Sequence, residues 1–339
     1  MSMRVRLLIP PQAKLWLILL VMPLLVTLLA AACGVQTDGP STPGRPPGVE
    51  TPAAPDPSVL PGEGAQGPQG RVEQADAVLV AVGDIASCKS EGDEATAALL
   101  NRQPGVIAAL GDTVYESGKP EEYARCFAPA WERHKQRIRP AVGNHEYQTP
   151  GASGYFAYFG EQAGEPGKGY YSYDLGRWHI IVLNSNCKQV GGCDADSPQV
   201  EWLRSDLAAH PTQCALAYWH HPRFSSGQHG NFPSMQTIWE ILYQHGVDIV
   251  LAGHDHDYER FAPLDAQGQA DPERGIRSFV VGTGGRSLRP FGEIHPASEV
   301  RDHQTYGVLK LTLRPDSYEW QFIPAAGGTF TDAGQGTCH

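Results

Sequence analysis

Five times in this chain a short apolar run stops at a residue able to bind a metal. "AVLVAVGD" ends at Asp84, "VIAALGD" at Asp112, "RPAVGNHE" reaches Asn144 and His145, "CALAYWHH" reaches His220 and His221, and "VDIVLAGHDH" ends at His254 and His256. Each run is aliphatic or β-branched and too short for a typical helix, so each reads as a buried strand. In open α/β sheets, sites form at the carboxyl ends of strands. The pattern therefore predicts one rim carrying two carboxylates, an amide, an imidazole and a pair of imidazoles. In four of the five runs a glycine stands just before the ligand type, where a strand can turn without a Cβ clash. His254 and His256 are two apart, which in extended backbone places both imidazoles on one side. A solvated loop would account for one His-x-His, but not for five strand ends of this kind.

Helical segments fall between the runs. Residues Asp93–Arg102 and Glu121–Lys135 have helical composition, and Pro233–His245 is another candidate. Ser197 and Pro198 offer an N-cap and first turn, followed by Val200, Leu203 and Leu207 on one face. Strand and helix alternate, which predicts an α/β fold. Later, "IRSFVVGTGG" and "GVLKLTLRPDSYEWQFIP" read as strands, the second broken into a hairpin at Pro315-Asp316-Ser317. A second sheet packed on the first is expected from them.

The ends of the chain differ from its middle. Arg4, Arg6 and Lys14 precede the uncharged apolar run Leu15–Ala32, which reaches small residues before Cys33. That order predicts a secretory signal. "LAAAC" resembles a bacterial lipobox, implying a lipid on Cys33, although the run is also long enough for an uncleaved anchor. Either reading places the remainder outside the cytoplasmic membrane. Val35–Gly70 holds 9 prolines and 7 glycines and too few large apolar side chains to offset its ordering entropy, so it reads as a tether. The expected division is residues 1–33 as signal, 34–72 as linker and 73–339 as one folded domain.

A net charge of −11 without a basic tract argues against a nucleic-acid partner. It leaves phosphorylated small molecules open, because metal charge dominates its own surroundings. With Cys33 set aside, six cysteines remain, an even number that suggests disulfides in an exported protein. The short loop NCKQVGGC makes Cys187–Cys193 the first pairing to expect. Cys88 with Cys126 and Cys214 with Cys338 would be the remainder, among 15 possible connectivities.

The ordered set GD at 84, GD at 112, GNHE at 143–146, a histidine after an apolar strand, and GHDH at 253–256 resembles the calcineurin-like metallophosphoesterases. The resemblance covers nearly all of the expected folded part. It implies an α/β/β/α sandwich of two mixed sheets flanked by helices. Most family members carry a histidine two residues after the first aspartate, where this chain has Ala86. Instead, "GDTVYE" puts Tyr115 three residues after Asp112, the purple acid phosphatase arrangement. The Asp-Arg pair of the protein-serine/threonine phosphatases is missing from "GDTVYESG".

Carried over residue by residue, the resemblance implies Asp84, Tyr115 and His256 on one metal. Asn144, His220 and His254 take the other, and Asp112 bridges. Tyrosinate suits Fe(III), whereas amide and imidazole suit a divalent Fe, Zn or Mn. Such a pair supplies a hydroxide for in-line attack on phosphate esters. The implied roles of His145 and His229 are to serve the leaving oxygen and to face the substrate. His221 is expected behind the ligands, Glu146 as a partner of backbone donors near its turn, and "GTGG" at 282–285 as a tight turn beside the site. The reading is an exported, lipid-anchored phosphomonoesterase. A phosphodiesterase or nucleotide pyrophosphohydrolase on the same fold is the alternative, and a non-catalytic phosphate- or metal-binding lipoprotein a further one.

Overall fold

Among the described residues, fifteen strands alternate with helices and divide between two mixed sheets and a small two-stranded pair. The computed structural model describes residues 76–339. The expected signal, the lipid-bearing Cys33 and the linker lie outside the described residues. In chain order the strands are β1 (Ala77–Val82), β2 (Ala86–Ser87), β3 (Val106–Leu110), β4 (Val114–Tyr115), β5 (Ile138–Ala141), β6 (Tyr171–Leu175), β7 (Trp178–Val182) and β8 (Cys214–Tyr218). They continue as β9 (Ile249–Ala252), β10 (Tyr258–Phe261), β11 (Arg277–Val281), β12 (Ser298–Asp302), β13 (Gly307–Leu313), β14 (Ser317–Pro324) and β15 (Ala333–Thr337). One sheet has the order β15-β14-β13-β1-β3-β5 and the other β12-β10-β11-β9-β8-β7-β6.

Three apolar layers hold these sheets in place. Leu79, Ala81, Leu110, Leu216, Leu251, Phe279 and Leu309 fill the space between the two sheets. Val80, Val82, Ile107, Phe127, Trp131 and Tyr155 pack the first sheet under its helices. Ile181, Ala217, Leu203, Trp239 and Leu242 do the same for the second. Central strands such as β8 and β9 are buried on both faces, which is why they read as unbroken apolar runs rather than alternating ones. Each fully buried Leu, Ile or Phe contributes about 1.5–3 kcal/mol. This is the expected α/β/β/α sandwich.

The structure departs from expectation in three places. The five ligand-bearing runs divide between the sheets: β1, β3 and β5 are parallel neighbours in the first, β8 and β9 in the second. The late hairpin β13–β14 does not found a second sheet; it returns antiparallel to β1 and extends the first. The segment expected as one helix over 121–135 is broken into α-helix Pro120–Glu122, π-helix Tyr123–Phe127, α-helix Ala128–Trp131 and 3-10 turns at Glu132–Arg137. Pro129 lacks the N–H that a regular helix would give to the Arg125 carbonyl.

Helices at Gly92–Leu100, Pro198–Ala209 and Gln236–Gln244 overlap the expected segments. Ser197 does precede the second of these, but its hydroxyl donates back to the Asp194 carbonyl at 2.8 Å instead of capping the helix. Among the described residues the disulfides are Cys88–Cys126, Cys187–Cys193 and Cys214–Cys338, the pairing expected. Among the described residues, no helix is long and apolar enough to cross a membrane.

Candidate metal centre

The carboxyl ends of β1, β3, β5, β8 and β9 meet at one edge of the sandwich. Asp84, Asp112 and His254 each adopt a left-handed backbone conformation there, with φ of 59°, 47° and 72°. Non-glycine residues rarely occupy that region, and such strain gathers at functional sites. Strand ends approach so closely that glycine is required beside these residues. A Cβ on Gly143 would stand 2.1 Å from Asp112 Oδ1, and one on Gly111, itself at φ +86°, would stand 2.5 Å from His220 Nδ1.

The donor atoms form two groups that share one oxygen. Tyr115 Oη lies 2.7 Å from Asp84 Oδ1, 3.0 Å from Asp112 Oδ2 and 3.2 Å from His256 Nε2. His220 Nε2 lies 3.2 Å from the same Asp112 Oδ2, 3.1 Å from Asn144 Oδ1 and 3.2 Å from His254 Nδ1. Donors bound to one ion at about 2.0–2.2 Å stand about 3–3.5 Å from one another. Asp112 Oδ2 belongs to both groups, as a bridging ligand would.

Hydrogen bonds behind the donors orient them. His220 Nδ1 donates to the Leu110 carbonyl at 2.9 Å, which turns Nε2 toward Asp112 and Asn144. His256 Nδ1 is paired with Ser287 Oγ at 2.7 Å, leaving Nε2 toward Tyr115. His254 is placed by its own N–H, which donates to Asp84 Oδ2 at 2.8 Å. Below them Glu146 is wholly buried and accepts the backbone N–H of Thr113 at 2.7 Å and of Gly143 at 2.7 Å, so it serves the backbone at this turn.

The electrostatics fit a cation. Burial alone would push the Asp112 carboxyl up, yet the imidazoles of His220 and His145 hold it well below the usual carboxylate range. Burial works against charge on His220 as well, but Asp112 raises its pKa to about 9. The acceptor cluster thus holds positive charge even when only a proton supplies it. Burial and the carboxylates of Asp112 and Asp84 push the Tyr115 phenol well above its ordinary value, so its ionisation requires a nearby cation. Two carboxylates, a phenol, an amide and three imidazoles suit hard or borderline metals.

The rim carries the remaining expected residues. His145 donates its ring Nδ1–H to the Glu116 carbonyl at 2.7 Å, and its Nε2 stands 3.9 Å from Asp112 Oδ2. The His229 ring lies 4.3 Å from that of His254. His221 is behind them, stacked on Phe232, and burial with neighbouring His220 lowers its pKa to about 3. Gly284 of "GTGG" donates its N–H to the Gly83 carbonyl, and Arg286 donates its N–H to the Asp84 carbonyl, so this turn lies against Asp84. All nine residues expected at the site are brought together.

Sequence reasoning missed what the same turn delivers. Ser287 holds His256, Arg286 stacks over the Tyr115 ring at 5.1 Å, and Arg289 donates to His229 Nε2 at 2.9 Å. The available signal was that β11, like four of the five ligand-type strands, is an apolar run ending at a glycine, here with Arg286-Ser287-Leu288-Arg289 following its GTGG turn.

Comparisons with known proteins agree with this geometry. The calcineurin-like phosphoesterase family profile matches residues 69–258. Purple acid phosphatase 15 of Arabidopsis thaliana is 27% identical over 219 residues, which cover 54% of this chain and 40% of that protein. A nucleotide pyrophosphatase/phosphodiesterase of Hordeum vulgare is 24% identical over 307 residues, covering 75% of this chain and 81% of its own length. Among solved structures, a purple acid phosphatase from yellow lupin (Lupinus luteus) seeds superposes with a TM-score of 0.67 at 19% identity, covering 77% of this chain and 54% of that one. The chain spans less than half the length of the Arabidopsis purple acid phosphatases it matches. With more than half of its residues matched by the family profile, the chain belongs to the calcineurin-like phosphoesterases, on their purple acid phosphatase side.

Proposed function

We propose that the protein is a dinuclear metal-dependent phosphomonoesterase. Asp84, Tyr115 and His256 would hold one ion, Asn144, His220 and His254 the other, and Asp112 would join them. The observation that carries this reading is the single oxygen, Asp112 Oδ2, within 3.0 Å of Tyr115 Oη and 3.2 Å of His220 Nε2. Tyr115 favours Fe(III) in its group, with a divalent Fe, Zn or Mn in the other. When bound, two ions at such a centre supply Lewis acidity and an acidified water for in-line attack.

The chain's own residues supply the rest. His145 is fixed through Nδ1 by the Glu116 carbonyl, so in its acid form it presents the Nε2 proton to the leaving oxygen. His229 borders the same opening. The backbone N–H of His145 donates to Asp112 Oδ1 at 2.9 Å, tying the acid to the bridging carboxylate. Three disulfides support an oxidising, extracytoplasmic setting. Lipid attachment at Cys33 and small phosphorylated substrates complete the proposal.

The test compares turnover of an aryl phosphate monoester with that of the matching diester, alongside metal content. Asp112→Asn is expected to lower both metals and to cut turnover at least about 100-fold, since changes behind the ligands alone cost about 10–100-fold. Normal metal content with normal turnover would overturn the bridging assignment. Diester hydrolysis is the second reading. The extent of the match to the Hordeum vulgare protein favours it, and a diester preference would establish it.

A further inference from the structure

The two arginines on the turn after β11 stand in different electrostatic surroundings. Arg286 is neutralised: its Nη2 lies 2.9 Å from Glu116 Oε1, a carboxylate also shared with Lys89. Arg289 has no carboxylate within 4.0 Å among the described residues. Its one side-chain partner is His229 Nε2, and because a guanidinium only donates, that nitrogen must accept. The charge of Arg289 is left uncompensated at the edge of the metal centre. Its backbone is anchored there, since the Arg289 N–H donates to the His256 carbonyl at 3.0 Å.

A groove is built from the loops that carry this pair, although neither Arg289 nor His229 lines it. Gln228 and Gly230, which flank His229, line it with Ser225, Asn231, Glu293 and Ile294, and its volume is about 430 Å³. The Gly292 N–H donates to the Ser226 carbonyl at 2.7 Å and ties the two walls together. Ile294 is 44% exposed, the one large exposed hydrophobic among the described residues. The groove is within the usual size range of small-molecule sites. Its own carboxylate, Glu293, suits a neutral or cationic organic portion rather than an anion.

We propose that Arg289 is a specificity-determining residue that binds a second anionic group on the leaving side of the substrate. It would favour phosphoanhydrides and phosphorylated leaving groups, with the organic portion in the adjoining groove. The inference rests on the phosphoesterase reading of the metal centre and names the substrate class of that same site. Arginine's planar fork matches the two oxygens of a phosphate, and such a charge-assisted contact corresponds to about 10- to 100-fold in affinity.

The experiment measures binding by calorimetry, using metal-loaded protein and two probes, inorganic phosphate and the non-hydrolysable methylenediphosphonate. Arg289→Ala is expected to weaken diphosphonate at least about 10-fold more than it weakens phosphate. Arg289→Lys, which keeps the charge but not the fork, should restore part of that difference. In turnover, kcat/KM for pyrophosphate should fall more than that for an aryl phosphate, chiefly through KM. Equal losses for the two probes, or a diphosphonate affinity unchanged in Arg289→Ala, would overturn the inference. Failure of the unsubstituted protein to hydrolyse either aryl ester would instead count against the phosphoesterase reading, and the binding ratio would still decide the role of Arg289.

Discussion

Glu146 supports Asp112 from below: its Oε2 accepts the Asp112 backbone N–H at 3.1 Å, while its Oε1 accepts the Thr113 hydroxyl at 2.9 Å. Every near partner of this buried carboxylate is a donor, so the left-handed turn that aims Asp112 depends on an acceptor at both oxygens. Glu146→Gln would set an NH2 group against N–H donors. It is expected to cost about 2–4 kcal/mol of stability and to lower metal content. Thermal unfolding with elemental analysis checks this, and a Tm and metal content equal to those of the unsubstituted protein would refute it.

Tyr115 gives a spectroscopic prediction. If its oxygen binds ferric iron, the iron-loaded protein is coloured and Tyr115→Phe loses the visible band. Asp84 and Asp112 keep their places because their backbone bonds do not involve the phenol. A band that survives Tyr115→Phe would assign the colour to another ligand.

His145 should affect chemistry without affecting metal binding. His145→Ala keeps the backbone N–H that donates to Asp112, so both ions should remain. Turnover of an alkyl phosphate, whose leaving oxygen needs a proton, is expected to fall about 10²–10⁴-fold. The loss should be smaller for a nitrophenyl ester. Identical losses on both esters would exclude His145 as the acid.

A pH-dependent stability term lies away from the site. His179 is buried between Asp174 at 2.9 Å and Asp206 at 2.8 Å. Burial works against its charge, but these carboxylates raise its pKa above the ordinary value. Burial likewise opposes the charge on Asp206, while His179 and the Ser172 hydroxyl lower its pKa. The raised histidine stabilises fully below about pH 6.5 and loses that contribution as pH rises through its folded pKa. The depressed aspartate stabilises above about pH 4 and loses its contribution as pH falls. Thermal unfolding against pH should therefore show the largest deficit of His179→Gln at pH 5–6, narrowing toward pH 9. A deficit independent of pH would mean the histidine is packed as a neutral ring.

The residues of the centre were legible because their signal is local. An apolar run and a ligand type, with a glycine between them in every run but that of His220, occupy no more than ten consecutive positions, and backbone sterics dictate what such a run becomes. Asp84, Asp112, Asn144, His220, His254 and His256 announce themselves in that way. The interrupted helix at 120–137 was less visible, because a break at Pro129 competes there with packing of Phe127 and Trp131 that composition does not reveal. Ser197 has the right residue type for a cap, yet its hydroxyl found a nearer carbonyl.

Local sequence pattern is enough to name the candidate ligands and the strands that end on them. Assembly of the whole fold sets the division of the five strands between two sheets, the place of one Asp112 oxygen in both donor groups, and the reach of Ser287 and Arg289 to the same rim. Those facts depend on contacts between residues 170 or more positions apart, such as His254 N–H on Asp84. Long-range contacts form only when both sheets have buried their shared apolar face, and no local pattern encodes which loops that burial brings together.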